Sequence, residues 1–282
     1  MAHDPEKWEP VFGLDHAQKK MMGEPIATSD DGVLGGRLIL RQPLKGHRVG
    51  HDAILLAAAA AARAGEHAVD LGAGVGGAGL ALAARVAGLK VTLVEIDETL
   101  CTIAAHNVRA NNLADRVTAL CADAETIDAL AAGGLVAASV DHVLMNPPFN
   151  DPRRQNVSPD PRRRLAHAGD PDLLARWLRT ASGLLKPNGV LTLIWRAEHQ
   201  ADVLAALTGD FGDVVVMPVL PRPEAAAIRV LVRAVRGARA GQREAQALVL
   251  NDAQDRPTAA VEEILRAGKA ISLADRSISG IA

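Results

Sequence analysis

Tyrosine is absent from this 282-residue chain, and three Phe with three Trp make up its whole aromatic content. So few rings cannot build a platform on which several successive bases stack, although one stacking residue at a site would suffice. Cysteine is almost as scarce. Cys101 and Cys121 stand apart in the sequence with no Cys-x-x-Cys pair, which argues against a disulfide framework or a structural zinc site and fits a reducing compartment. Both read as core residues rather than nucleophiles. The longest apolar run, Ala53 to Ala62, is half of the roughly 20 residues that cross a bilayer. The opening Met-Ala-His-Asp-Pro-Glu-Lys lacks the apolar stretch of a secretory signal, so a soluble, cytoplasmic protein with no membrane partner is expected. Charge of one sign is missing too: 31 Lys and Arg against 33 Asp and Glu give a formal net charge of -2. Any contact with nucleic acid must therefore come from a local patch. The 25 glycines and 15 prolines stay well below the roughly 25–30% that marks low complexity, and 49% hydrophobic residues allow a well-buried core.

What is present is organised. Residues 1–25 mix Pro, charge and a Met pair without periodicity and read as an N-terminal arm, open to flexibility. Thr28 to Leu40 looks like a short hairpin, and Asp52 stands in the N-cap place of an Ala-rich helix expected to stop near Gly65. A strand-helix alternation follows. Strands are expected at 68–71, 91–96, 116–121, 139–145 and 190–195, with helices at 79–86, 98–111, 124–132 and 172–185 between them. Such alternation implies a mostly parallel sheet with helices on both faces. The strands expected at 213–219 and 226–235 are joined by too few residues for a parallel crossover, so they should pair antiparallel at the sheet's end. The main α/β domain is expected over 26–240, and 241–282 as a C-terminal extension packed on it, with a helix at 259–267.

The first strand ends in Val69-Asp-Leu-Gly-Ala-Gly-Val-Gly-Gly-Ala-Gly and opens a helix. In this context Gly72, Ala73 and Gly74 let a ligand approach the backbone, though tight strand-helix packing is the plain alternative. Glu95, Ile96 and Asp97 close the next strand about 20 residues later, where a carboxylate can accept hydrogen bonds from ribose hydroxyls. This suits NAD and S-adenosylmethionine alike. Asp70 tips the balance, because a carboxylate directed at the loop repels a pyrophosphate and suits a cofactor that carries an ammonium and a sulfonium. Asp-Leu-Gly-Ala-Gly resembles the first motif of class I S-adenosylmethionine-dependent methyltransferases. That resemblance implies a seven-stranded Rossmann-like sheet with an antiparallel last strand. It also implies that Asp123, followed by Ala124, accepts a hydrogen bond from the cofactor's adenine amino group; on spacing, Asp123 equally suits a helix N-cap.

The fourth strand ends in Asn146-Pro147-Pro148-Phe149. The tetrad resembles the catalytic motif of methyltransferases that act on planar amino groups: adenine N6, guanine N2 and the glutamine side-chain amide. The residue types fit that chemistry. If the Asn146 side-chain oxygen and the Pro147 carbonyl accept the two amino protons, electron density stays on a nitrogen that is otherwise a poor nucleophile, and the amine is aimed at the methyl group. Pro147 and Pro148 hold the turn through their fixed backbone angles, and Phe149 can stack on the target base and face the sulfonium.

Together with Leu34-Gly-Gly-Arg-Leu and Gln42-Pro-Leu-Lys-Gly-His-Arg-Val-Gly-His-Asp-Ala-Ile-Leu-Leu-Ala, these motifs resemble the bacterial family that methylates adenine N6 next to the anticodon of a valine tRNA, over about residues 28–240. The resemblance implies S-adenosylmethionine as cofactor and tRNA as partner. It also places Asp52 near the methionine part of the cofactor pocket, with Arg48 and His51 in the same segment; a plain N-cap and a surface charge are equally consistent for Asp52 and Arg48. Many relatives end the tetrad in Tyr, whereas Phe149 keeps the stacking face without the hydroxyl. Families that share the tetrad act on rRNA guanine or on a protein glutamine, so both stay as alternatives. An NAD oxidoreductase or a non-catalytic RNA-binding module would leave the tetrad without a role.

After the tetrad, Arg153, Arg154, Arg162, Arg163 and Arg164 make a basic loop beside the site, suited to an RNA backbone; a solvated loop is the alternative. Arg222 and Arg229 could extend that patch. His47 and His51 have zinc-helix spacing but no intervening Glu, and Gly50 spoils the helix, so no metal is expected. Monomer and homodimer are both open.

Overall fold

The strand-helix rhythm folds into one large twisted sheet with helices on either side and a small hairpin in front. A computed structural model describes residues 26–46, 48–147 and 172–273. The arm expected over 1–25, His47, Pro148, Phe149 and the arginines of 153–164 lie outside them. In chain order the elements are β1 (Thr28–Val33), β2 (Leu38–Pro43), α1 (His51–Ala59), β3 (His67–Leu71), α2 (Gly77–Arg85), β4 (Lys90–Glu95), α3 (Glu98–Ala110), β5 (Val117–Cys121), α4 (Ile127–Ala132) and β6 (Val140–Met145). There follow α5 (Leu173–Leu184), β7 (Leu185–Arg196), α6 (Gln200–Leu207), β8 (Phe211–Leu220), β9 (Arg229–Arg236), β10 (Gln242–Glu244), β11 (Leu248–Val249) and α7 (Ala259–Ala267).

The main sheet runs β10-β8-β9-β7-β6-β3-β4-β5, and β11 also pairs with β8. β3 to β7 are parallel to one another, whereas β9 lies antiparallel between β7 and β8. The seven expected strands are all present, the last of them antiparallel. β10 and β11 extend the β8 edge by parallel pairing. They escape sequence reading because three- and two-residue strands carry no measurable period.

The sheet is buried on both faces, as a parallel sheet must be. Successive residues of a strand therefore serve different layers: Leu144 packs with α1, α2 and the hairpin leucines Leu38 and Leu40, whereas Val143 and Met145 pack with Trp177 and Leu178 of α5. The same split places Ile194 on one face and Leu193 on the other.

Three local differences have clear causes. α1 ends at Ala59 rather than near Gly65, because the Arg85 guanidinium reaches over from α2 and donates to the Ala57 and Ala60 carbonyls. α4 starts at Ile127 rather than 124, because the Asp123 carboxylate holds the Glu125 N–H at 2.9 Å and shapes 123–126 as a turn. α6 was not expected at all; it has no side-chain cap and buries only Val203 and Leu207, one helical turn apart. Cys121 is a further correction, since it ends β5 exposed to solvent while Cys101 is buried.

Candidate active site

In a parallel sheet the crevice beyond the carboxyl ends of the strands is where loops meet and ligands bind. Here β5, β4, β3 and β6 lie side by side, with Glu95 in register with Cys121 and Leu71 with Met145. Strand pairing alone thus gathers the glycine loop after β3, Glu95–Asp97 after β4, Ala122–Ala124 after β5 and Asn146-Pro147 after β6 along one edge.

The glycine loop is shaped from two sides. Gly72 has φ +71, and a Cβ there would sit 2.5 Å from the ring of Trp177, so only glycine lets α5 pack against the loop. The Gly79 N–H, in the first turn of α2, donates to the Asp70 carboxylate at 2.8 Å. Asp70 is 2% exposed. Burial pushes its carboxyl up to about 7, Glu95 adds to the rise, and the Gly79 hydrogen bond opposes it. The Ala73 N–H is held by the Val94 carbonyl at 2.9 Å, and space above Gly74 is open.

Glu95 is the clasp of the crevice. One oxygen accepts the Gly74 N–H and the other the Asp97 N–H, each at 2.8 Å, so its carboxylate is fixed beside the loop. Ile96 next to it is exposed, an apolar side chain at the crevice mouth. Asp97 caps α3, accepting from the Thr99 and Leu100 N–H groups. Asp123 forms the next wall, with Ala124 buried behind it. Arg176 of α5 clamps the adjoining Glu125 at 2.6 Å. Asn146 follows β6, and its buried Oδ1 has no hydrogen-bond partner among the described residues. An unpaired buried amide oxygen at a strand end is a group in want of a donor.

Asp52 sits apart from this row. It lies in the first turn of α1 rather than at the N-cap, which is Gly50, and its carboxylate pairs with the Arg229 guanidinium of β9 at 2.8 Å. β9 runs antiparallel, so its first residue Arg229 lies opposite Arg196 at the end of β7, and Asp52 stands on the same edge of the sheet as the crevice. Arg48, in contrast, is engaged by the hairpin: it donates to Asp31, Ser29 and the Pro43 carbonyl.

Two participants were not foreseen. Trp177 was legible only as an apolar residue of the helix expected at 172–185. Arg229 read as a patch residue, and nothing local in the sequence pairs it with Asp52, 177 positions away.

Carboxylates at 52, 70, 95, 97 and 123 give the edge an acidic cast that opposes a diphosphate and suits a cation. A glycine loop against a carboxylate clasp, under this seven-stranded order, defines a class I S-adenosylmethionine-dependent methyltransferase. The methyltransferase small domain model matches residues 47–218, more than half of the chain, and the chain belongs to that family. A crystal structure from Agrobacterium tumefaciens, described as a predicted O-methyltransferase, superposes with a TM-score of 0.66 at 30% identity, covering 78% of this chain and 98% of that one. Among curated relatives, a tRNA1(Val) (adenine(37)-N6)-methyltransferase of Porphyromonas gingivalis is 31% identical over 160 residues, 55% of this chain and 61% of that protein. An Aeromonas hydrophila protein of the same name is 32% identical over 197 residues, 67% and 77% of the two chains. The chain thus spans about three fifths of the length of the first of these relatives. S-adenosylmethionine is the cofactor of the class. The open space above Gly74 and the fixed Glu95 carboxylate fit such a cofactor.

Proposed function

We propose that this chain methylates an exocyclic amino group, N6 of an adenine in a tRNA anticodon loop, in the cytoplasm. The observation that carries the proposal is the buried, unpartnered Asn146 Oδ1 at the end of β6, beside the glycine loop. Glu95 holds the ribose hydroxyls, Asp123 the adenine amino group, and Asp70 with Asp52 the cationic methionine end, while Gly72, Ala73, Gly74, Ile96 and Ala124 line the pocket. S-adenosylmethionine supplies an electrophilic methyl group on a sulfonium. Asn146 Oδ1 and the Pro147 carbonyl each accept one N–H of the acceptor amine, which aims its lone pair and keeps electron density on nitrogen. No covalent intermediate is needed. Pro148 holds the turn and Phe149 stacks on the base, with Arg153, Arg154, Arg162, Arg163 and Arg164 on the RNA backbone.

The name of the Agrobacterium relative points to an oxygen acceptor. A hydroxyl must give up its proton as it attacks, and the Asn146 amide cannot take one. An amine held through both N–H groups would form its N–C bond first, as the S–C bond breaks and S-adenosylhomocysteine leaves, and the resulting acidic N–H would pass its proton to water afterwards, which favours nitrogen.

The test is incubation with S-adenosylmethionine and unmodified small RNA, followed by digestion to nucleosides and mass spectrometry. N6-methyladenosine is expected with the wild type and not with Asn146→Ala, whose cofactor affinity should stay within a few-fold. A product carrying methyl on guanine N2 or on a protein glutamine would replace adenine as the acceptor. Loss of cofactor binding in Asn146→Ala would remove that residue from the acceptor side.

A further inference from the structure

β2 forms the outer edge of the front hairpin, and the backbone groups of Ile39 and Arg41 point away from β1. α3 lies along that edge and presents two asparagines four residues apart, Asn107 in its last turn and Asn111 at its C-cap. Asn111 Oδ1 accepts the Ile39 N–H at 2.9 Å and its Nδ2 donates to the Ile39 carbonyl at 2.8 Å. Asn107 does the same one turn earlier, accepting the Arg41 N–H at 2.8 Å and donating to the Arg41 carbonyl at 3.0 Å. Geometry explains the match. Four helical residues rise about 6 Å and two strand residues about 6.6 Å, and an amide side chain offers the same acceptor and donor as a neighbouring peptide. The helix thus acts as a third strand for the hairpin.

The two asparagines differ in their second N–H. That of Asn111 goes to the Asn107 carbonyl within the same helix. That of Asn107 crosses to the Val75 carbonyl in the glycine loop at 3.0 Å. Asn107 is 0% exposed, and its bond to the Val75 carbonyl is shielded from water. Next to Arg41 on the same strand, Gln42 Oε1 accepts the Val49 N–H at 2.7 Å, and the Val49 side chain packs against Gly77 at the start of α2. The hairpin and the glycine-loop segment are therefore joined through two adjacent residues of β2, Arg41 and Gln42.

We infer that Asn107 is a positioning residue that ties the β1–β2 hairpin to the cofactor loop, so that loop order and hairpin order rise and fall together. The inference rests on the reading that the loop at 72–76 holds S-adenosylmethionine. Asn107 touches no reacting atom. It sets the Val75 carbonyl, hence the path of the loop on which the methionine end is to rest. The coupling is reciprocal: by the factor that an ordered hairpin favours the ordered loop, an ordered loop favours the hairpin.

The experiment compares S-adenosylmethionine binding, by calorimetry, for the wild type, Asn107→Ala and Asn111→Ala. Both variants loosen the hairpin, but only the first frees the loop. Asn107→Ala should weaken cofactor binding about tenfold, the size expected for one buried hydrogen bond, while Asn111→Ala stays within about twofold. In turnover, KM for S-adenosylmethionine should rise in Asn107→Ala with kcat nearly kept, a split that general loosening would not give. Equal effects of the two variants would overturn the inference. If Asn107→Ala does not fold, hydrogen exchange of the wild type decides: adding S-adenosylmethionine should slow exchange of peptides covering 38–43 several-fold and leave α6, on the other face of the sheet, unchanged. Unaltered exchange at 38–43 on a cofactor-bound protein would overturn the link. A wild type that does not bind S-adenosylmethionine at all would instead refute the functional reading.

Discussion

Asp70 offers the sharpest test of the site's electrostatics. An ordinary aspartate ionises near 3.8, whereas burial behind the glycine loop pushes this one up to about 7. The sign follows from proton counting. Between pH 4 and 7 the folded protein keeps a proton that the unfolded chain has lost, so this group's contribution to stability falls as pH rises through that window and stays lost above 7. The full span, about 3 pH units, corresponds to about 4 kcal/mol, of which about 3 kcal/mol lies between pH 5 and 9. Asp70→Asn keeps an oxygen for the Gly79 N–H and removes the ionisation. Without cofactor, urea unfolding of wild type and variant should diverge with pH, Asn gaining about 3 kcal/mol on Asp between pH 5 and 9. A cationic ligand reverses the preference, since it favours the ionised form. S-adenosylmethionine should therefore bind the wild type more tightly as pH climbs to 7, release a proton on binding at pH 6, and bind Asp70→Asn more weakly at pH 8. Parallel unfolding curves across the pH range, together with pH-independent cofactor affinity, would refute the reasoning.

Further outcomes follow from the same geometry. Gly72→Ala places a methyl against the Trp177 ring at positive φ and should cost about 2–4 kcal/mol in thermal or urea unfolding. Gly74→Ala meets nothing within 4 Å, so it should cost only about 1 kcal/mol of stability, yet lower cofactor affinity tenfold or more by filling the ligand's space; calorimetry separates the two effects. Iodoacetamide at pH 8 should modify exposed Cys121 and spare Cys101, whose thiol burial pushes up to about 12 with Cys121 and Glu95 adding to the rise. Equal labelling of both in peptide mass spectra would contradict the assigned burial.

The strands were legible because burial on both faces writes largely apolar text, as in Val143–Met145 and Val214–Met217, and because a glycine run after β3 and an Asn-Pro turn after β6 mark where the crevice begins. The acidic residues after β4 and β5 were legible for the same reason: position in a parallel sheet is set by the order of strands, not by side-chain detail. What escaped depends on contacts between distant segments. The early end of α1 is imposed by Arg85, and the partner of Asp52 arrives from β9. Asn107 in the sequence is one more polar residue in a helix; its role appears only when β2 is laid alongside. The two cysteines show the limit most simply, for they stand 20 positions apart and their side chains nonetheless meet between α3 and β5.

The placement of β9 between β7 and β8 carries a consequence for synthesis. As the ribosome extends the chain, β7 appears with its outer edge bare, and β8, the next strand made, cannot cover it because that place belongs to a strand still to come. Only when residues 229–236 emerge does the gap fill, and with Arg229 comes the partner that Asp52 has lacked since the first fifth of the chain was made. Until then Leu191, Leu193 and Ile194 belong to a strand paired on one edge only, a surface inviting to other nascent chains. A ribosome that pauses before 229 should hold a sticky intermediate, and one that passes it quickly should release a chain able to close its sheet in a single late step.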